Sequence, residues 1–89
     1  MMACCHWEFE CEAGTRFEIE LRSGPMNVLL MDGPNFTAYC DGLECYAFGR
    51  YYDVTPVVLQ APHEGYWCVV VDNGNEEELG DIDAYVQAL

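Results

Sequence analysis

The 89-residue chain has no lysine. Its basic side chains are Arg16, Arg22 and Arg50, against 16 Asp and Glu, for a formal net charge of −13. A domain this anionic repels nucleic acid, nucleotides and anionic lipid, so direct binding to DNA, RNA or a membrane surface is not expected. No apolar run approaches the ~20 residues of a membrane span. The longest, Val54–Leu59 and Tyr66–Val71, are strand-length and are broken by Pro56 or bounded by Asp72. The start, MMACCHWEFE, lacks the basic n-region and long apolar h-region of a secretory signal, so the expected compartment is the cytoplasm. Missing too are a Gly-rich phosphate loop, an H-E-x-x-H pair and a nucleophile elbow, the signatures that would point to an enzyme.

What is present is apolar and aromatic: 52% and 13% of the residues. That composition excludes intrinsic disorder. The length predicts a single domain, residues 1–89, burying only ~60–65% of the surface its unfolded form exposes. One modest core fits; a core plus a large enclosed cavity does not.

Strand signals dominate. Residues 6–12 alternate, with Trp7, Phe9 and Cys11 on one face and His6, Glu8, Glu10 and Glu12 on the other. Residues 16–22 repeat the pattern, with Phe17, Ile19 and Leu21 inward and Arg16, Glu18, Glu20 and Arg22 outward. Such period-two alternation marks strands with one wet face. Ala13-Gly14-Thr15 reads as a hairpin loop between them. Met26–Met31 is apolar on both faces and predicts a central strand. Asp32-Gly33-Pro34-Asn35 predicts a turn, with Asn35 capping a helical turn over 36–40 that Gly42 ends. Further strands are expected over 43–48, over 51–59 with Pro56 at an edge or bulge, over 66–72 and over 81–89. Asn73-Gly74-Asn75 reads as a turn. The expected fold is all-β: a small antiparallel β-sandwich of about seven strands with one short helical turn. Its core should hold Trp7, Phe9, Phe17, Ile19, Leu21, Val28, Leu30, Val69 and Val71.

The six cysteines are expected to be reduced in a cytoplasmic chain, with Cys68 a buried small hydrophobe. Cys4, His6, Cys11, Cys40 and Cys45 have zinc-compatible donors, but their spacing matches no standard knuckle. Neither a metal nor a cofactor is expected. A Cys–His pair, Cys5 or Cys68 with His6 or His63, could be drawn as nucleophile and base. Chance alone supplies such a pair here, and no catalytic residues are assigned.

Three segments carry a resemblance: AGTRFEIEL from Ala13, NVLLMDGPNFTAY from Asn27 and GYWCVVVD from Gly65. They resemble a small bacterial domain family of unknown function whose members read roughly as AGDxVxVxL, NVxLMDxxNFxxY and GxWxVVID. The resemblance covers about residues 9–74 and implies a small antiparallel β-sandwich. It brings no catalytic residues. This chain departs from the pattern in its acidity, above all over 76–83. By size and charge alone it also looks like phage-encoded inhibitors that mimic DNA, anti-CRISPR proteins among them.

The acids have geometry as well as number. Alternate strand residues lie about 6.6–6.8 Å apart, close to the phosphate spacing along one nucleic-acid strand. Glu8, Glu10 and Glu12 therefore form a phosphate-like row. Pairing of the first two strands around the Gly14 loop would set Glu10 opposite Glu18 and Glu8 opposite Glu20, a destabilising arrangement. Placing those strands in different sheets removes the clash. Glu76, Glu77, Glu78, Asp81 and Asp83 form a second cluster. Together these ten acids are the expected partner-binding set. The expected function is a non-enzymatic DNA mimic that blocks the basic groove of a DNA-binding protein or CRISPR surveillance complex subunit in a bacterial host cell. The alternative is a β-sandwich module binding a small ligand or protein partner, with acidity serving solubility. A groove could then be drawn from Tyr39, Tyr46, Phe48, Tyr51, Tyr52, Tyr66 and Trp67, centred on Tyr46, Tyr51 and Tyr52.

Overall fold

The computed structural model describes residues 4–72 and 83–89. Seven strands and one helix follow one another as β1 (Cys4–Cys11), β2 (Arg16–Leu21), β3 (Met26–Asp32), α1 (Gly33–Cys40), β4 (Phe48–Tyr52), β5 (Val57–Gln60), β6 (Gly65–Asp72) and β7 (Ala84–Ala88). They form two antiparallel sheets, β1-β6-β3-β4 and β5-β2-β7. The expected all-β fold is therefore the observed one.

The first two strands do not make a hairpin. β1 pairs with β6, and β2 pairs with β5 and β7. The Ala13-Gly14-Thr15 segment instead carries the chain between sheets, where the Gly14 amide donates to the Ala61 carbonyl at 2.9 Å. Each strand has one apolar face, and those faces lose more water by stacking across a sandwich than by lying side by side in one half-wet sheet. The Phe9 and Phe17 rings meet in this way, centroids 4.8 Å apart. Glu10 consequently opposes Tyr66, and Glu18 opposes Val58 and Gln87. Among the described residues no carboxylate row faces another.

Every expected core residue joins the cluster between the sheets, Trp7 and Phe9 at its half-buried margin. Met26, Val57, Ala61 and Trp67 complete it. β3 and β6 are apolar on both faces because α1 covers the outer face of their sheet. There Met31, Tyr39, Cys68 and Val70 form a second cluster. The buried Asp72 carboxylate bonds across the same layer, accepting from the Tyr39 hydroxyl at 2.6 Å and the Asn27 amide at 2.8 Å.

The helix starts earlier than Asn35 capping would allow. Asp32 is the N-cap, its Oδ1 accepting from the Asn35 backbone N–H at 3.0 Å. Pro34 fits the first turn because that turn has no carbonyl to offer its missing donor. Gly42, at φ +72°, ends the helix as expected, with its amide on the Tyr39 carbonyl. The expected strand over 43–48 is irregular up to Phe48. The expected strand over 51–59 is two strands in two sheets. Pro56, which lacks a ladder donor, sits where the chain crosses between them. Of the last predicted strand, residues 84–88 form β7; residues 81 and 82, like the Asn73-Gly74-Asn75 turn, lie outside the described residues.

Gly49 faces Leu29 in the β3–β4 ladder at φ +109°, and a Cβ there would stand 2.1 Å from the Val28 carbonyl oxygen. Gly42 has the same handedness but open space around it. Gly42→Ala should cost about 1–2 kcal/mol for backbone conformation alone. Gly49→Ala should lower the urea midpoint further, because the β3–β4 backbones must part. Equal losses in the two variants would show that the close approach is not restrictive.

Candidate functional site

The described acids do not converge. Glu8 and Glu10 project from the outer face of β1, and Glu12 follows that strand exposed to solvent. Glu18 and Glu20 project from the outer face of β2, on the other side of the sandwich. Asp83 is exposed before β7, its amide held by the Ser23 hydroxyl at 2.9 Å. Glu76, Glu77, Glu78 and Asp81 lie outside the described residues. Several of the described acids have local partners. Tyr66 donates its hydroxyl to Glu8, Gln87 donates to Glu18 at 3.1 Å, and Arg22 meets Glu20 at 3.4 Å. The hydrogen bond to the Glu8 carboxylate holds the Tyr66 hydroxyl protonated well above the ordinary tyrosine range.

The cysteines and histidines are also dispersed. Cys11 packs against the core between the sheets, whereas Cys40, the last residue of α1, and Cys45 pack against the second cluster. His6 packs against Phe36, ring centroids 4.6 Å apart and planes tilted by 40°. The Cys4 side chain lies outside the described residues. Among the described residues no group of three His, Cys, Asp or Glu is placed to hold a metal ion. Cys68 is fully buried, and burial pushes its thiol up to about 11. The groups acting on it are Tyr66, Glu8, Cys40 and Asp32, with no histidine among them.

A concavity of about 480 Å³ opens where the start of α1, the approach to β4 and the β5–β6 loop meet. Its walls are Tyr46, Phe48, His63 and Trp67, with Leu30 from β3 and the Asp32 carboxylate. The register explains the grouping. Leu30 pairs with Phe48 on one side of β3, and Asp32 pairs with Trp67 on the other. The Trp67 and Phe48 rings lie 6.3 Å apart, and the His63 ring lies 4.9 Å from Trp67. Trp67 Nε1 donates to the His63 carbonyl at 3.0 Å, which anchors the loop wall. Asn35 does the same for the opposite wall. Its Nδ2 donates to Asp32 Oδ1 at 2.8 Å, while its Oδ1 accepts from the Tyr46 amide at 2.8 Å. One side chain thus fixes the carboxylate and the tyrosine segment together.

Of the seven aromatics drawn from sequence for a groove, Tyr46, Phe48 and Trp67 line this one, and of the three at its centre only Tyr46 does. Tyr52 packs against the core beneath Arg50, and Tyr51 lies on the opposite face of β4. Tyr39 is committed to Asp72 and Tyr66 to Glu8. Asp32 and Asn35 carry a turn signature in the sequence, and Leu30 a core signature. Neither signature announces a groove, because each wall comes from a different part of the chain.

These features define a small two-sheet antiparallel β domain with one covering helix and an open aromatic groove. Among its described residues no helix is long and apolar enough to cross a membrane. The chain belongs to the family described as a domain of unknown function, DUF1883, whose model matches residues 2–88. That span takes in all three motifs behind the resemblance to an unknown-function family, and it lends nothing to the likeness with anti-CRISPR proteins. No curated protein and no solved structure matches the chain.

The Cys68 shift has a signed consequence for stability. An unfolded cysteine loses its proton near ~8.5. Between there and about 11 the folded chain retains a proton that the unfolded chain has released, so stability present at lower pH is lost as the pH rises through 11. Urea midpoints taken at about pH 8 and about pH 10.5 should show this fall, worth up to about 2 kcal/mol. Cys68→Ala, whatever its own stability, should show a shallower pH dependence. An identical dependence in the variant would remove Cys68 as the cause.

Proposed function

We propose that this domain is a non-catalytic binding module whose working surface is the aromatic groove, with its acidity serving solubility and the approach of a basic partner. The observation that carries this reading is the convergence of Tyr46, Phe48, His63, Trp67 and the Asp32 carboxylate on one concavity of about 480 Å³. Ligand sites have this character: ~300–1,000 Å³, mostly apolar walls and a few placed polar groups. The burial of Cys68, its thiol held protonated, supports a role without nucleophilic catalysis.

A second reading rests on β1. Glu8 and Glu10 share the outer face of a strand that ends its sheet, and Glu12 extends the row. Such a row could dock in the phosphate-binding groove of a DNA-binding protein, a CRISPR surveillance complex subunit included. Its weakness is that Glu18 and Glu20, on the far side of the sandwich, cannot join the same interface.

The two readings separate in one capture experiment. Immobilised protein is exposed to a bacterial lysate, and retained proteins are compared between wild type, Tyr46→Ala, Phe48→Ala and the triple reversal Glu8→Lys, Glu10→Lys, Glu12→Lys. The groove reading expects a retained species that both aromatic variants lose and the triple reversal keeps. Mimicry expects the reverse, together with release at modest salt, because affinity built on charge pairs is screened over about 8–10 Å at physiological ionic strength.

A further inference from the structure

We infer that the groove receives the guanidinium of an arginine presented by a partner protein, an assignment that rests on the groove being the binding surface. Three observations lead there. The charged carboxylate lining the concavity is Asp32, and neither Lys nor Arg stands among the lining residues. Aromatic rings beside a carboxylate attract a cation through ring quadrupole and charge together. A net charge of −13 adds long-range attraction for a basic partner.

The second observation is the openness of the walls. Tyr46 is 81% exposed and Phe48 51% exposed. A drug-sized ligand is usually buried over about 70–90% of its surface. A wall left this bare suits one side chain delivered from a large partner that covers the rest. Tyr, Trp and Arg are the residues on which such interfaces concentrate their energy.

The third concerns which cation. A guanidinium is planar, weakly hydrated and able to stack on an aromatic face while donating to a carboxylate oxygen, whereas an ammonium is compact and strongly hydrated. The chain already sets an arginine over a tyrosine ring twice on its own surface. Arg22 lies over the Tyr85 ring at 5.4 Å and Arg50 over Tyr52 at 5.1 Å.

The test uses blocked tripeptides, acetyl-Gly-Arg-Gly-amide and its lysine and citrulline counterparts, titrated into isotope-labelled full-length protein by NMR. The arginine peptide should shift the Trp67 indole N–H and the Tyr46 amide in a saturable way, with a Kd of the order of 1 mM. Asp32→Asn should weaken it by about tenfold or more with the sheet amides unmoved, because Asn serves as an N-cap about as well as Asp. Tyr46→Ala, a change at an exposed ring, should weaken it as well. Citrulline, planar but neutral, should fail. Equal binding of the lysine or the citrulline peptide, or no saturable shift at either reporter, overturns the arginine assignment. If Tyr46→Ala and Phe48→Ala nevertheless lose a partner that wild type captures, the groove reading survives that failure. If capture also ignores both groove variants, the reading itself falls.

Discussion

The contact of Phe9 with Phe17 across the sandwich is the constraint from which the rest of the architecture follows. Two consecutive strands, each with a single apolar face, bury those faces against one another and so enter different sheets. β1 then needs another partner and finds it in β6, beyond β5 in the chain. β6 and β3 become the interior strands of the larger sheet, and their second apolar faces require a cover. The helix supplies it, held over the sheet by Met31, Tyr39, Cys68 and Val70. Asp72, buried at the end of β6, ties Asn27 of β3 to Tyr39 of the helix. A buried carboxylate is tolerated there because it is hydrogen-bonded on more than one side.

The groove is a by-product of this order that chemistry can use. The helix must begin where β3 ends, so the N-cap carboxylate of Asp32 arrives beside Trp67, its neighbour across the ladder. Asn35 transmits that position to Tyr46. The β5–β6 loop closes the other side through the Trp67 indole. The site is therefore held by the same bonds that start the helix and anchor the loop. The acidic rows, by contrast, decorate two sides of a thin molecule, whose principal extents are 33 × 28 × 16 Å. Their charge can attract from a distance. Glu8, Glu10 and Glu12 cannot share one flat interface with Glu18 and Glu20.

Much of this was legible in the residues themselves. Alternation in HWEFECE and RFEIELR, double-faced apolarity in β3 and β6, and the Gly42 helix stop are local signals, set by pleat, period and backbone handedness. Each predicted core residue needed only its own strand to declare its inward face. Pairing partners and wall partners are different in kind. Whether β1 joins β2 or β6 depends on how two apolar faces lose water together, which no window around Gly14 contains. Asp32 reads as a turn residue and Asn35 as the cap, and the packed helix makes Asp32 the cap instead. Pro56 announces an interruption but not that the chain changes sheets there. The groove takes Leu30, Asp32, Tyr46, His63 and Trp67 from separate segments, and only register and packing bring them to one place. The sequence by itself determined which residues turn inward and where the helix stops, because those preferences are local. Tertiary structure alone decided which faces meet, because burial is a property of surfaces in pairs.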